Sequence, residues 1–134
     1  VETSPSRHLS VVVAAPAHVA YAYAADPERL PEWAAGLAAG VEQVDGAWYA
    51  DSPMGRVRVD LAPANDLGVL DHVVTMPDGE RVLNPVRVLP WGEGCEVVFT
   101  VRRRAGVDDA EFEADCAAVA ADLEALRDRL ERRD

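Results

Sequence analysis

Gly55–Ala62 alternates without a fault: Val57, Val59 and Leu61 fall on one side, Arg56, Arg58 and Asp60 on the other. That period of two is the mark of a strand with one dry and one wet face. Gly94–Arg103 repeats it, with Cys95, Val97, Phe99 and Val101 opposite Glu96, Thr100 and Arg102. Further strands are predicted at Arg7–Ala14, Val41–Val44, Ala47–Asp51, Gly68–Met76 and Arg81–Pro90, behind a polar lead from Glu2 to Ser6. The breaks between them, such as Asp45-Gly46, Pro77-Asp78-Gly79 and Gly92-Glu93-Gly94, are turn sequences. Connections this short make neighbouring strands antiparallel hairpins.

The period changes in two places. After the first strand, Pro16 and then Asp26-Pro27 each start a short helix, the second carrying Leu30, Trp33 and Leu37. At the far end Asp108 and Glu111 form a capping-box-like start. From Asp109 to Glu131 the positions Phe112, Cys116, Val119, Leu123, Leu126 and Leu130 recur at spacings of four and three. This is one narrow apolar stripe on a helix roughly 33 Å long, predicted to lie across the dry face of the sheet. The order is strand, two short helices, six meandering strands and a long helix, one α+β domain over residues 1–134.

Two strands resist this reading. Gly68–Met76 puts Leu70, His72, Val74 and Met76 on one face and Val69, Asp71, Val73 and Thr75 on the other. Arg81–Pro90 sets Val82, Asn84, Val86 and Val88 against Arg81, Leu83, Arg87 and Leu89. Both faces of each strand are half apolar, so periodicity does not choose. On a regular strand only one of Asn84 and Arg87 can point inward.

Charge and composition narrow the chemistry. A formal net charge of −11 over 134 residues argues against nucleic acid, whose phosphates need a basic face. All basic side chains are arginine and no lysine occurs, which excludes a Schiff-base or P-loop lysine. Cys95 and Cys116 form no C-x-x-C, and their expected separation, on the order of 15 Å along strand and helix, precludes a disulfide. The three histidines show no metal-ligand spacing, and no serine sits in a nucleophile elbow. No metal or cofactor is expected. The most apolar stretch, Val11 to Ala25, is broken by Pro16 and His18 and is too short to cross a bilayer. The default expectation is a cytoplasmic protein without membrane insertion.

This order of elements, with HLSVVVAAPAHVAYAY, DPERLPEW, GVLDHVV followed by PDG, and ADCAAVAADLEALRDRL, resembles the SRPBCC or START-like (Bet v 1-like) superfamily, including its polyketide cyclases/dehydrases. The resemblance covers nearly the whole chain. It implies a helix-grip fold: a seven-stranded curved antiparallel sheet around the C-terminal helix, with a ligand cavity of several hundred Å³ between them. On that expectation the dry face is also the pocket wall. Val97 and Phe99 of the last strand and Val119 of the helix stripe would line it, Trp33 would stand at its entrance, and either Tyr49 or its neighbour Trp48 would face in, with Tyr49 taken as the candidate. Asp115 and Asp122, seven residues apart on one flank of the stripe, face the cavity mouth, pair with Arg58 or Arg87, or lie on a solvated flank, and Asp115 is taken as a ligand contact. His72, if inward, could exchange a proton near neutral pH. Arg87, if inward, could steady an enolate, with Asn84 as the alternative from the opposite face and a salt bridge to Asp71 or Glu96 as Arg87's other fate.

Three functions are compatible with these residues. The first is a hydrophobic small-molecule binder that folds a poly-keto chain for aldol cyclisation, with His72 and Arg87 as its catalytic pair. The second is a non-catalytic carrier or sensor of a lipid-like or aromatic ligand. The third is a co-chaperone-like interaction module meeting a basic partner with its acidic surface. Homodimerisation is left open.

Overall fold

The computed structural model describes residues 5–132; Glu2 to Ser4 of the polar lead lie outside them. Strand β1 (Ser6–Val13) gives way to a bend at Ala14, and Pro16 then stands at the N-cap of helix α1 (Ala17–Ala24). The expected second helix is present in three pieces. A 3-10 turn over Pro27–Arg29 is capped by Asp26, whose carboxylate accepts the Glu28 N–H at 3.0 Å. Helix α2 (Leu30–Trp33) follows, then a second 3-10 turn over Ala35–Leu37. The Tyr23 hydroxyl donates to Glu32 at 2.6 Å and ties α1 to α2; burial, then that bond, push its pKa up to about 12.

The meander comprises β2 (Val41–Val44), β3 (Ala47–Ser52), β4 (Gly55–Leu61), β5 (His72–Thr75), β6 (Arg81–Asn84), β7 (Val86–Trp91) and β8 (Gly94–Arg102). All pairings are antiparallel, in a three-stranded ladder β1-β8-β7 and a five-stranded ladder β2-β3-β4-β5-β6. The strand expected over Arg81–Pro90 is therefore divided, and Pro85 is the reason. It has no N–H to give the ladder, and the next N–H, that of Val86, turns to the Asp71 carboxylate at 2.9 Å. The register survives the break: Val69 bridges Arg87 on one side and His72 faces Asn84 on the other, in the same alignment. Leu70 N–H donates to Val86 C=O at 2.9 Å, and Val88 N–H to Gly68 C=O at 2.8 Å. The two ladders thus join through one long hairpin. Counted by hairpins the surface has seven strands, and by unbroken ladders eight.

Gly68 shows how tight that junction is. Its φ is +73°, and a Cβ built there would lie 2.2 Å from the Val88 carbonyl oxygen, so only glycine fits.

Helix α3 (Asp109–Glu131) is capped as expected, the Asp108 carboxylate accepting the Glu111 N–H at 2.8 Å. It lies against β1, β8 and α2. Leu123, Leu126 and Leu130 pack on Val13, Val88, Cys95 and Val97 of the sheet in the main core. Phe112 and Cys116 form a smaller cluster with Val101. Both cysteines are buried and free. Among the described residues no helix is long and apolar enough to cross a membrane.

Candidate functional site

The alternation legible in β4 and β8 sets the inner surface: Val57, Val59, Cys95 and Val97 are buried against α3. For the two ambiguous strands the structure makes the choice. Leu70, His72 and Val74 face inward, as do Val86 and Val88 across the hairpin. Between this wall and the helices lies a cavity of about 210 Å³. The sheet contributes Val59, Leu70, Val74, Val86, Val97 and Phe99. Leu30, Trp33, Ala34 and Leu37 cover it from the α2 segment, and Val119, Leu123 and Leu126 close it from α3. It is smaller than the several hundred Å³ expected: four leucines of the α2 segment and α3 (Leu30, Leu37, Leu123 and Leu126) and two of the sheet wall (Leu61 and Leu70) line the space.

The lining is apolar apart from three groups. His72 stands on the sheet wall with its Nδ1 3.1 Å from the Leu70 carbonyl oxygen. A carbonyl only accepts, so in the neutral ring Nδ1 carries the proton and Nε2 is the lone-pair side. Nε2 meets the Asn84 amide Nδ2 at 3.4 Å, and the ring packs edge-to-face on Phe99 with centroids 6.0 Å apart. Burial holds the His72 pKa below its usual value, against smaller opposing effects of the Leu70 carbonyl and Asp71. The ring is therefore neutral at pH 7 and a proton acceptor at Nε2.

Asp122 enters from α3. One carboxylate oxygen accepts the Ala35 N–H at 3.1 Å, fastening the turn after α2 onto the long helix. Burial raises the Asp122 pKa, and the Ala35 bond partly offsets that. Trp33 is the third: its Nε1–H is shielded from water and has no acceptor among the described residues. An orphaned donor of this kind costs about 1–3 kcal/mol.

The expected site residues divide cleanly. His72, Trp33, Val97, Phe99 and Val119 border the cavity. Asn84 is on the inner face behind His72 and touches its ring without reaching the cavity. Arg87 is on the outside: it donates through Nε and a terminal nitrogen to both Asp71 oxygens, at 3.0 and 2.9 Å. It cannot act on a molecule inside, because Asn84, Val86 and Val88 take the inward positions of its hairpin arm. Asp71 is held below the usual carboxylate range, chiefly by Arg87. Tyr49 also points outward, opposite Arg58 and under the Arg56 guanidinium at 5.0 Å from the ring centroid; Trp48, paired with Val59, takes the inner side. Asp115 is exposed on the helix and does not border this cavity. Asp122, its partner two turns on, lies under the α2 segment and takes the place expected of Asp115.

A larger, open depression lies outside the grip, between the start of α1, the loop at Asn65–Gly68 and the β7–β8 turn. Two of its polar side chains, Tyr21 and Asn65, are engaged, while His18, Asp66 and Glu93 also border it. The Asn65 side chain bonds Pro63, Leu67 and Val69 backbone, and its N–H donates to the Tyr21 hydroxyl at 3.0 Å. Among the described residues no cluster of His, Cys, Asp and Glu could hold a metal ion.

No protein-family model matches the chain, and no curated protein matches it significantly. Solved structures do. An aromatase/cyclase from Streptomyces sp. R1128 is 23% identical with a TM-score of 0.68, over 96% of each chain. Norcoclaurine synthase from Thalictrum flavum is 15% identical with a TM-score of 0.71, over 97% of this chain and 88% of that one. A START superfamily protein from Mycobacterium smegmatis is 14% identical with a TM-score of 0.68, over 95% and 97%. The shared architecture is a sheet closed on a long C-terminal helix, with short helices after the first strand.

Proposed function

From the helix-grip fold that this chain shares with Bet v 1-like and START-like proteins, we propose that it binds a compact hydrophobic small molecule between the sheet and α3. The observation that carries this reading is the apolar cavity of about 210 Å³. Its wall is apolar with a few polar groups among the hydrocarbon, the make-up of a small-molecule site. Size sets the ligand: an apolar cavity of about 150 Å³ takes benzene, so this one suits a molecule of one or two rings. A long poly-keto chain does not fit.

A second reading adds chemistry, and the placement of His72 on the cavity wall favours it. His72 Nε2 takes a proton from a carbon flanked by carbonyls in a short poly-keto ligand. The resulting enolate carbon attacks a second carbonyl of the same molecule, forming one C–C bond, and the new alkoxide takes its proton back from the imidazolium. Loss of water would then give the unsaturated ring. Arg87 has no part in it, being paired with Asp71 on the outer face.

The test is tetralin, a two-ring hydrocarbon, titrated calorimetrically into the wild type and into Val119→Phe, which fills the cavity from α3. Saturable binding by the wild type, weakened at least ten-fold in a folded Val119→Phe, is expected. No binding to the wild type, or equal binding to both, overturns the reading.

A further inference from the structure

The depression outside the grip also asks for an occupant. It is open, about 1180 Å³ in volume, and shares no lining residue with the cavity between sheet and α3. Much of its lining is apolar, with Ala14, Pro16, Val88 and Pro90 among it. Leu67 borders it while 76% exposed, and Trp91, between two residues that border it, is 71% exposed. Leu89 and Val12 carry the apolar surface on over the outer face of the sheet, one on each side of Glu96. Four of the seven large apolar side chains exposed among the described residues are thus gathered at this one end. Single exposed apolar residues are ordinary, but a contiguous group beside a concave surface marks a place that another molecule covers.

Charge says what that molecule carries. Asp66 and Glu93 border the depression, and Glu96 stands between Val12 and Leu89. Among the described residues none of the three is in an ion pair. No arginine borders the depression, lysine is absent from the chain, and Arg87, two residues from Leu89 on the same face of β7, is held by Asp71. A second copy would set these acids against their own kind, on chains that each carry a net charge of −11. An anionic lipid surface meets the same repulsion. A small polyamine would satisfy the carboxylates and leave Leu67 and Trp91 in water. A protein segment with arginine or lysine beside leucine-type side chains answers both needs.

We propose that this end of the molecule docks a basic, amphipathic segment of a partner protein. The segment's apolar side chains cover Leu67 and Trp91 and enter the depression, and its arginines or lysines meet Asp66 and Glu93. Trp91 is the anchor, a large ring with most of its surface left to bury. The carboxylates orient the approach and select against acidic partners. The surface is separate from the ligand cavity, so the inference stands or falls independently of the reading above.

Two dye-labelled peptides test it by fluorescence anisotropy at about 0.15 M salt: one built of Leu-Arg-Arg-Leu blocks, and one of the same charge with serine in place of every leucine. The leucine peptide should bind the wild type at least ten-fold more tightly than the serine peptide. Trp91→Ser, and separately the pair Asp66→Asn with Glu93→Gln, should each weaken it at least ten-fold. All three side chains are exposed, so these variants keep the fold. The pair Asp115→Asn with Glu124→Gln removes the same charge from the exposed side of α3 and should stay within two-fold of wild type. Excess tetralin should leave the bound peptide in place. No binding by the wild type, equal binding of the two peptides, an unchanged affinity in Trp91→Ser, or an equal loss in the α3 pair overturns the inference. Displacement by tetralin would put the peptide in the other cavity and overturns it as well.

Discussion

Leu126→Ala tests the cavity from its floor. Leu126 is 1% exposed, packs in the main core with the sheet valines, and borders the cavity on its other side. Truncation removes three carbons, about 2.4 kcal/mol at ~0.8 kcal/mol per methylene. The added void raises the loss to about 3–4 kcal/mol, inside the range for buried leucines. A domain of this length has about 7–20 kcal/mol to lose, so the variant remains folded. Its Tm falls by roughly 9–20 °C, given about 3–5 °C per kcal/mol for this size. The void merges with the existing cavity, so the variant should accept a three-ring hydrocarbon that the wild type excludes. Urea unfolding gives the stability, and calorimetric titration with tetralin and its three-ring homologue gives the size preference. A loss under about 1 kcal/mol with an unchanged size preference would show that Leu126 does not separate core from cavity, and the volume argument would fall.

Three further outcomes follow from particular side chains. His72 has its pKa lowered by burial; the unfolded chain therefore binds a proton first, and stability is lost as pH falls from the ordinary value of about 6.5 to the lower folded one. His72→Gln should flatten that part of the stability curve, and a curve unchanged between wild type and variant refutes the burial of the ring. Arg87→Ala should leave tetralin affinity within two-fold of wild type, since the guanidinium pairs with Asp71 on the outer face; a ten-fold loss would place it at the site after all. Gly68→Ala forces a positive φ and a 2.2 Å approach to the Val88 carbonyl, so unfolding in urea should show a loss of at least about 2 kcal/mol. An unchanged midpoint would contradict that close approach.

The order of elements was legible because each carries its own period. In β4 and β8 one face holds the charges and the other the valines, so burial can go only one way. The long helix reads as plainly, with a capping aspartate, one apolar stripe and no breaker over Asp109–Glu131. The sequence by itself thus determined the strands, the closing helix and the residue types of the inner wall. The hairpin bearing His72 and Arg87 was undecided for a physical reason: both its faces carry valines and a polar group, and local pattern energy is nearly the same either way.

Tertiary structure decided that hairpin by joining it to neighbours whose faces were already committed. Once Val59 opposes Val74 and Val97 opposes Val88, His72 must face in and Arg87 out, where Asp71 receives it. The choice between Asp115 and Asp122 was likewise invisible from the helix, because the two are equivalent by helical phase and differ only in whether the Ala35 N–H stands opposite. Volume belongs to the same class. An apolar side chain looks identical in sequence whether it fills a core or borders a void, and only the distance between sheet and helix tells them apart.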